Sequence, residues 1–128
     1  MIKPEFFLNF LEKNNINFFT GVPDSVLKEF SSQLQRKRSI KHIIATNEGS
    51  AVSLGIGHYL GTKKLSCVYM QNSGLSNALN PLISIAHKKV YSIPLVLIIG
   101  WRGSPRGKDE PQHNVKGKIT EKLLKLLN

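Results

Sequence analysis

Thr46-Asn47-Glu48-Gly49-Ser50-Ala51-Val52 sets one acid among small residues where an apolar run gives way to a helical pattern. The run before it, Ile40 to Ala45, is β-branched and bounded like a strand, and from Ala51 to Leu60 apolar residues recur at helical spacing. Glu48 therefore belongs at a strand's C-terminal end. In an open parallel α/β sheet that edge gathers ligands, and the unpaired N–H groups of a helix N-terminus favour an anion there. Two explanations of Glu48 compete: an acid that merely complements a first helical turn, and an acid that meets a ligand. The neighbours favour the second. Gly49, Ser50, Ala51, Ser53, Gly55 and Gly57 crowd one short helix, although each interior glycine costs about 1 kcal/mol against alanine. Something must approach that helix closely.

The same succession of strand, turn and helix lies on either side. Asn17 to Thr20 is a short strand ending at Gly21, after which Pro23-Asp24-Ser25 opens a helix carrying Val26, Leu27, Phe30 and Leu34. Leu65 to Met70 is a third strand, followed by a helix over residues 76–87, and Ile93 to Ile99 is the fourth and most apolar run. Ahead of them all, Pro4 stands at a first helical turn with Phe6, Phe7, Phe10 and Leu11 at helical spacing. This alternation predicts an α/β fold: an open parallel sheet with helices on both faces and right-handed crossovers. Pro94 starts its strand, where proline is tolerated, and Pro81 predicts a kink or a late start in its helix. A last helix is expected over residues 120–127, with Leu123, Leu124 and Leu127 on one side. No strand follows to cover those leucines, so more chain or a partner is expected against them.

Composition narrows the class. At 128 residues and 41% hydrophobic, the chain is expected to be one soluble domain, 1–128. No charged leader with an apolar core opens it, and no apolar run approaches the roughly 20 residues of a membrane span, so a cytoplasmic protein without membrane contact is expected. Cys67 has no second cysteine to pair with and falls inside an apolar run, the setting of a buried small hydrophobe. The net charge of +10 could mark a polyanion partner. Its lysines and arginines fall instead on helix ends and turns without interleaved aromatics, a solvated surface rather than a nucleic-acid face. Gly55-Ile56-Gly57-His58-Tyr59-Leu60-Gly61 is no dinucleotide fingerprint, because it has an extra residue and lies within a helix. His42, His58 and His87 share no metal-ligand spacing.

Four loops follow the four strands and share one sheet edge. They are Gly21 to Ser25, Thr46 to Ser50, Gln71-Asn72-Ser73-Gly74-Leu75-Ser76-Asn77, and Trp101 to His113. Each is richer in Gly, Pro and polar groups than a connector needs, and sites in such folds draw on several strand ends. Alternatives stay open within them: Asp24 suits an N-cap, as do Ser73 and Ser76. The last loop gathers Arg102, Arg106, Lys108 and His113, which suits either a mobile anion clamp or a disordered basic segment.

Phe19 to Ser25, Ala45 to Ala51, Gln71 to Asn77 and Lys108-Asp109-Glu110-Pro111-Gln112-His113 closely resemble, in order and in register, the N-terminal part of the phosphonopyruvate and sulfopyruvate decarboxylases. These are thiamine diphosphate-dependent 2-oxoacid decarboxylases. The resemblance implies a pyrimidine-binding domain of the thiamine diphosphate-binding fold, in which Glu48 hydrogen-bonds a pyrimidine ring nitrogen and favours the imino tautomer that removes the thiazolium proton. It implies acid-base or positioning roles for Asp24 and His113, and places Pro23, Asn72, Ser73, Gly74 and Asn77 beside the cofactor. Charge makes Arg102, Arg106 and Lys108 the partners expected for a phosphonate or sulfonate.

The Gly-Asp-Gly start and downstream Asn of the family's second domain, which hold magnesium and the diphosphate, have no match here. The domain is accordingly expected to be C-terminally truncated, to lack the diphosphate-binding domain, and to be inactive alone. A partner domain or subunit, in a homo- or hetero-oligomer, is expected to supply the Mg2+ and to share the thiamine diphosphate. The expected activity is that of a lyase turning 3-phosphonopyruvate into phosphonoacetaldehyde and carbon dioxide. The alternatives are the alpha subunit of a sulfopyruvate decarboxylase, and a non-catalytic basic domain binding an anion or nucleic acid.

Overall fold

The four apolar runs pair as one parallel sheet. In the computed structural model, which describes residues 2–105 and 107–127, the strands are β1 (Phe18–Gly21), β2 (Lys41–Ile44), β3 (Ser66–Gln71) and β4 (Val96–Gly100). Their order across the sheet is β2-β1-β3-β4. All three pairings are parallel, with Phe19 opposite both His42 and Cys67, and Met70 opposite Ile99.

Alternation along β3 shows why the sheet needs two covers. Cys67 and Tyr69 enter one core with Leu8 and Leu11 of α1 (Pro4–Lys13) and Phe30 and Leu34 of α2 (Lys28–Arg36). Val68 and Met70 enter the other with Ala51, Val52 and Ile56 of α3 (Glu48–Thr62) and Leu75 and Ala78 of α4 (Leu75–Pro81). A strand buried on both faces reads as a continuous apolar run, as β3 does. Helices therefore lie on both faces, as the alternation of patterns predicts.

Two helices start elsewhere than the sequence suggests. Residues 24–27 form a turn, and α2 begins at Lys28, so Asp24 is not its N-cap. The last helix, α5 (Pro111–Leu126), begins well before Thr120, with Pro111 at its first position. Proline suits that position because the N–H it lacks has no partner in the helix anyway. The longer helix also corrects the expectation of uncovered leucines: Leu123, Leu124 and Leu127 pack against the α3–α4 core of this same chain. Gly117 makes this possible. A Cβ there would collide with the carbonyl of Gly103, so α5 crosses that loop backbone against backbone.

Pro81 does break its helix. It ends α4, and the chain continues as a π-helical turn, Leu82–Ala86. Without an N–H, Pro81 cannot bond the carbonyl of Asn77 four residues back, and the ladder shifts to a wider turn.

Candidate active site

Because every strand runs the same way, all four C-terminal ends open on one rim. Asn47 caps α3, its Oδ1 accepting from the Ser50 amide at 2.9 Å, and so fixes Glu48 as the first helical residue. The Glu48 side chain reaches across to the loop after β3. Its Oε2 accepts from Asn77 Nδ2 at 3.0 Å, and its Oε1 lies over Gly74, where a Cβ would collide with it. A groove of about 920 Å³ begins beside it, lined by Gly49, Ser50 and Ser53 of α3 and by Asn77, Asn80 and Pro81. Gly49 is needed there, since a Cβ would sit 2.9 Å from the Asn77 carbonyl.

Asp24 is turned into the same rim. Its Oδ1 accepts from Gln71 Nε2 at 2.6 Å, while Oδ2 is buried against Gly100 with no hydrogen-bond partner among the described residues. Gln71 in turn accepts from Ser73 Oγ at 2.5 Å. Ser73 thus serves a side chain rather than capping α4, and Gly74, at the N-cap, offers no side chain. Pro23 and Asp24 line a second hollow, of about 440 Å³, with Ser25 and Lys28.

Asn72 is a junction. Its Nδ2 donates to the Arg102 carbonyl and to Thr120 Oγ1, both at 2.9 Å, and its Oδ1 accepts from the Arg102 amide at 3.1 Å. With that side chain buried and its amide occupied, Asn72 joins β3, the loop after β4, and α5.

The basic loop is built around an ion pair. Arg102 donates from Nε and Nη2 to the two carboxylate oxygens of Asp109, at 2.8 and 2.7 Å. The guanidinium, then the Gly103 amide, hold the Asp109 carboxyl well below the usual carboxylate range, and the same contact raises Arg102. Lys108 is exposed, and Arg106 lies outside the described residues. His113 sits in the first turn of α5, with Nε2 3.9 Å from Glu110 Oε2.

Glu48, Gly74, Asn77, Asp24 and Ser73 thus lie along one rim, whereas the Arg102 guanidinium is engaged by Asp109 and Ser25. Sequence reasoning passed over Gln71, which ties Asp24 to the loop after β3. A glutamine closing an apolar strand was the available signal. Two further polar contacts lie near the sheet. Tyr69 passes over Gly21 and meets His42 Nε2 through its hydroxyl at 2.8 Å, and His58 stacks on Phe18 with ring centroids 4.3 Å apart.

The rim suits the pyrimidine end of thiamine. Such a ring presents an amino group that donates and nitrogens that can share a proton, and the rim offers the Glu48 carboxylate, held at Oε2 by Asn77 with Oε1 over Gly74. The glycine at position 74 leaves the Glu48 carboxylate room that any side chain would fill.

Comparison with known proteins agrees. Residues 4–122 match the family model described as thiamine pyrophosphate enzyme, N-terminal TPP binding domain. The chain is 42% identical over 106 residues to a phosphonopyruvate decarboxylase of Streptomyces hygroscopicus, an alignment that covers 83% of this chain and 26% of the relative. It is 38% identical over 111 residues to a sulfopyruvate decarboxylase subunit alpha of Methanococcus maripaludis, covering 87% of this chain and 64% of that one. Among solved structures, a thiamine diphosphate-dependent 4-hydroxybenzoylformate decarboxylase of Rhodococcus jostii superposes with a TM-score of 0.68 at 22% identity, over 80% of this chain and 19% of that one. That last likeness concerns the fold.

Proposed function

Since the chain belongs to the thiamine pyrophosphate enzymes, as their N-terminal TPP binding domain, we propose that it is the pyrimidine-binding part of a decarboxylase converting 3-phosphonopyruvate to phosphonoacetaldehyde and carbon dioxide. The observation that carries this is the placing of Glu48 at the head of α3, with its carboxylate turned over Gly74 and held by Asn77. Thiamine diphosphate, when bound, supplies the electron sink a 2-oxoacid needs in order to lose carbon dioxide. Glu48 shares a proton with a pyrimidine ring nitrogen, and Asn77 keeps the carboxylate aimed. Asp24, steadied by Gln71, and His113 at the head of α5 handle the remaining proton transfers or orient the substrate. Pro23, Ser73, Gly74 and Asn77 shape the wall beside the ring, while Asn72 holds that wall from behind. Lys108, with Arg106, meets the anionic end of the substrate.

Magnesium and the diphosphate are gripped by a separate domain or subunit, without which this chain is inactive. The chain spans about a quarter of the Streptomyces relative and about two thirds of the Methanococcus one. The likeness to the Methanococcus subunit supports a specific alternative, the alpha subunit of a two-subunit sulfopyruvate decarboxylase. Assaying both acids with the complementary domain or subunit supplied separates the two. Glu48→Gln in that assembly should lower carbon dioxide release at least 100-fold, with the circular dichroism of the fold unchanged. Retention of half the activity would defeat the assignment.

A further inference from the structure

The basic loop after β4 holds an arginine expected, on charge alone, to bind the substrate's anion. Its hydrogen bonds say otherwise. Two of its guanidinium nitrogens face both oxygens of Asp109, at 2.8 and 2.7 Å, in the side-on arrangement that matches a planar fork to a carboxylate. The third, Nη1, donates to Ser25 Oγ at 3.2 Å, in the loop after β1. The Arg102 backbone exchanges two hydrogen bonds with Asn72, in the loop after β3. Asp109 is as fully engaged: beyond the guanidinium it accepts from the Gly103 amide and the Glu110 amide, both at 2.8 Å. Glu110 is the cap of α5, and Gly103, at φ 65°, lies under the carbonyl of His113.

We propose that Arg102 is a positioning residue rather than an anion ligand: clamped by Asp109, it ties the loops after β1, β3 and β4 together and sets where α5, with His113, begins. A free anion would have to displace a carboxylate carried on the same short loop, and in doing so would strip two backbone amides of their acceptor. The anion of the substrate is left to the other cations of the loop. This assignment rests on the decarboxylase reading for its consequences in catalysis, but the staple itself does not.

The test has one arm for each. In the full assembly with its diphosphate-binding complement, Arg102→Ala and Asp109→Ala should each lower kcat at least tenfold. The double variant should be no worse than either single one, and KM for 3-phosphonopyruvate should move less than twofold. Asp109→Asn, which keeps the shape, should retain the fold and lose activity in the same direction, and Arg102→Lys, which lacks the fork, should behave as Arg102→Ala. A tenfold rise in KM for Arg102→Ala, with Asp109→Ala normal or improved, would overturn the proposal in favour of an anion ligand. In the chain by itself, amide hydrogen exchange at Gly103 and Glu110 should quicken at least tenfold in both Arg102→Lys and Asp109→Asn. Unchanged exchange would remove the staple whether or not the assembly decarboxylates anything, and an inactive assembly with quickened exchange would remove only the enzymatic reading.

Discussion

Glu48 is poised because three neighbours leave it one place to go: Asn47 starts the helix beneath it, Asn77 holds one oxygen, and Gly74 makes room for the other. Gly74 is the member whose part is least visible from its own chemistry. A methyl group there meets the end of a flexible side chain rather than backbone, so Gly74→Ala should fold, with stability in urea within about 1 kcal/mol of the parent. The displaced carboxylate should nevertheless weaken the assembled enzyme tenfold or more, and thiamine diphosphate titration alongside kcat checks both halves. The placing of Glu48 at the head of a helix was legible in the sequence because the acid falls between a β-branched run and a row of small residues. Gln71 was less so: a glutamine closing an apolar strand stands out, but its partner Asp24 lies 47 positions away and the sequence does not announce that bond. Arg102 was legible as a cation but its pairing with Asp109 was not, because charge is written in the sequence and pairing is not.

At the scale of elements, the glycines of α3 and α5 separate into those with a neighbour and those without. A Cβ at Gly55 would lie 2.8 Å from Ser66 Oγ and 2.9 Å from Val68, so the glycine lets α3 settle onto β3. A Cβ at Gly57 would meet nothing within 4 Å beyond its own helix. Gly57→Ala should therefore stabilise the isolated chain by about 1 kcal/mol, read as a shifted urea midpoint with unchanged slope. Gly117→Ala should do the opposite. Its new methyl group would strike the Gly103 carbonyl, which is backbone and cannot swing aside, and a loss of about 2 kcal/mol or more is expected in the same measurement. The strands were readable as apolar runs, and the break at Pro81 followed from a missing N–H. The start of α5 was hidden, because Pro111 closes a segment broken by glycine and proline and its role as a first helical residue appears only once the helix is seen.

For the whole molecule, the sheet's two buried faces make stability depend on pH through groups that catalysis does not use. Burial lowers His42 below its ordinary value of 6.5 while Tyr69, also by burial, is pushed up to about 12. His58 is lowered too, by burial and by the charges of Lys41 and Lys64. Both histidines take up a proton more readily in the unfolded chain, so their contribution is intact above pH 6.5 and is lost as pH falls through the folded values. Glu12, held low by Lys37 and Ser39, adds a separate loss below its ordinary 4.5. Urea unfolding from pH 7.5 downward should show the midpoint declining below about 6.5, and His42→Gln should flatten that first decline. The one-way run of the strands has a last effect, on how freely the chain can vary. Residues 14–17, 37–40, 63–65 and 87–95 all precede strands and so emerge at the far end from the chemistry. An inserted tag or a reporter dye at an exposed position of that end would leave Glu48 and its neighbours undisturbed, and laboratory evolution aimed at a new substrate can leave it out of its libraries.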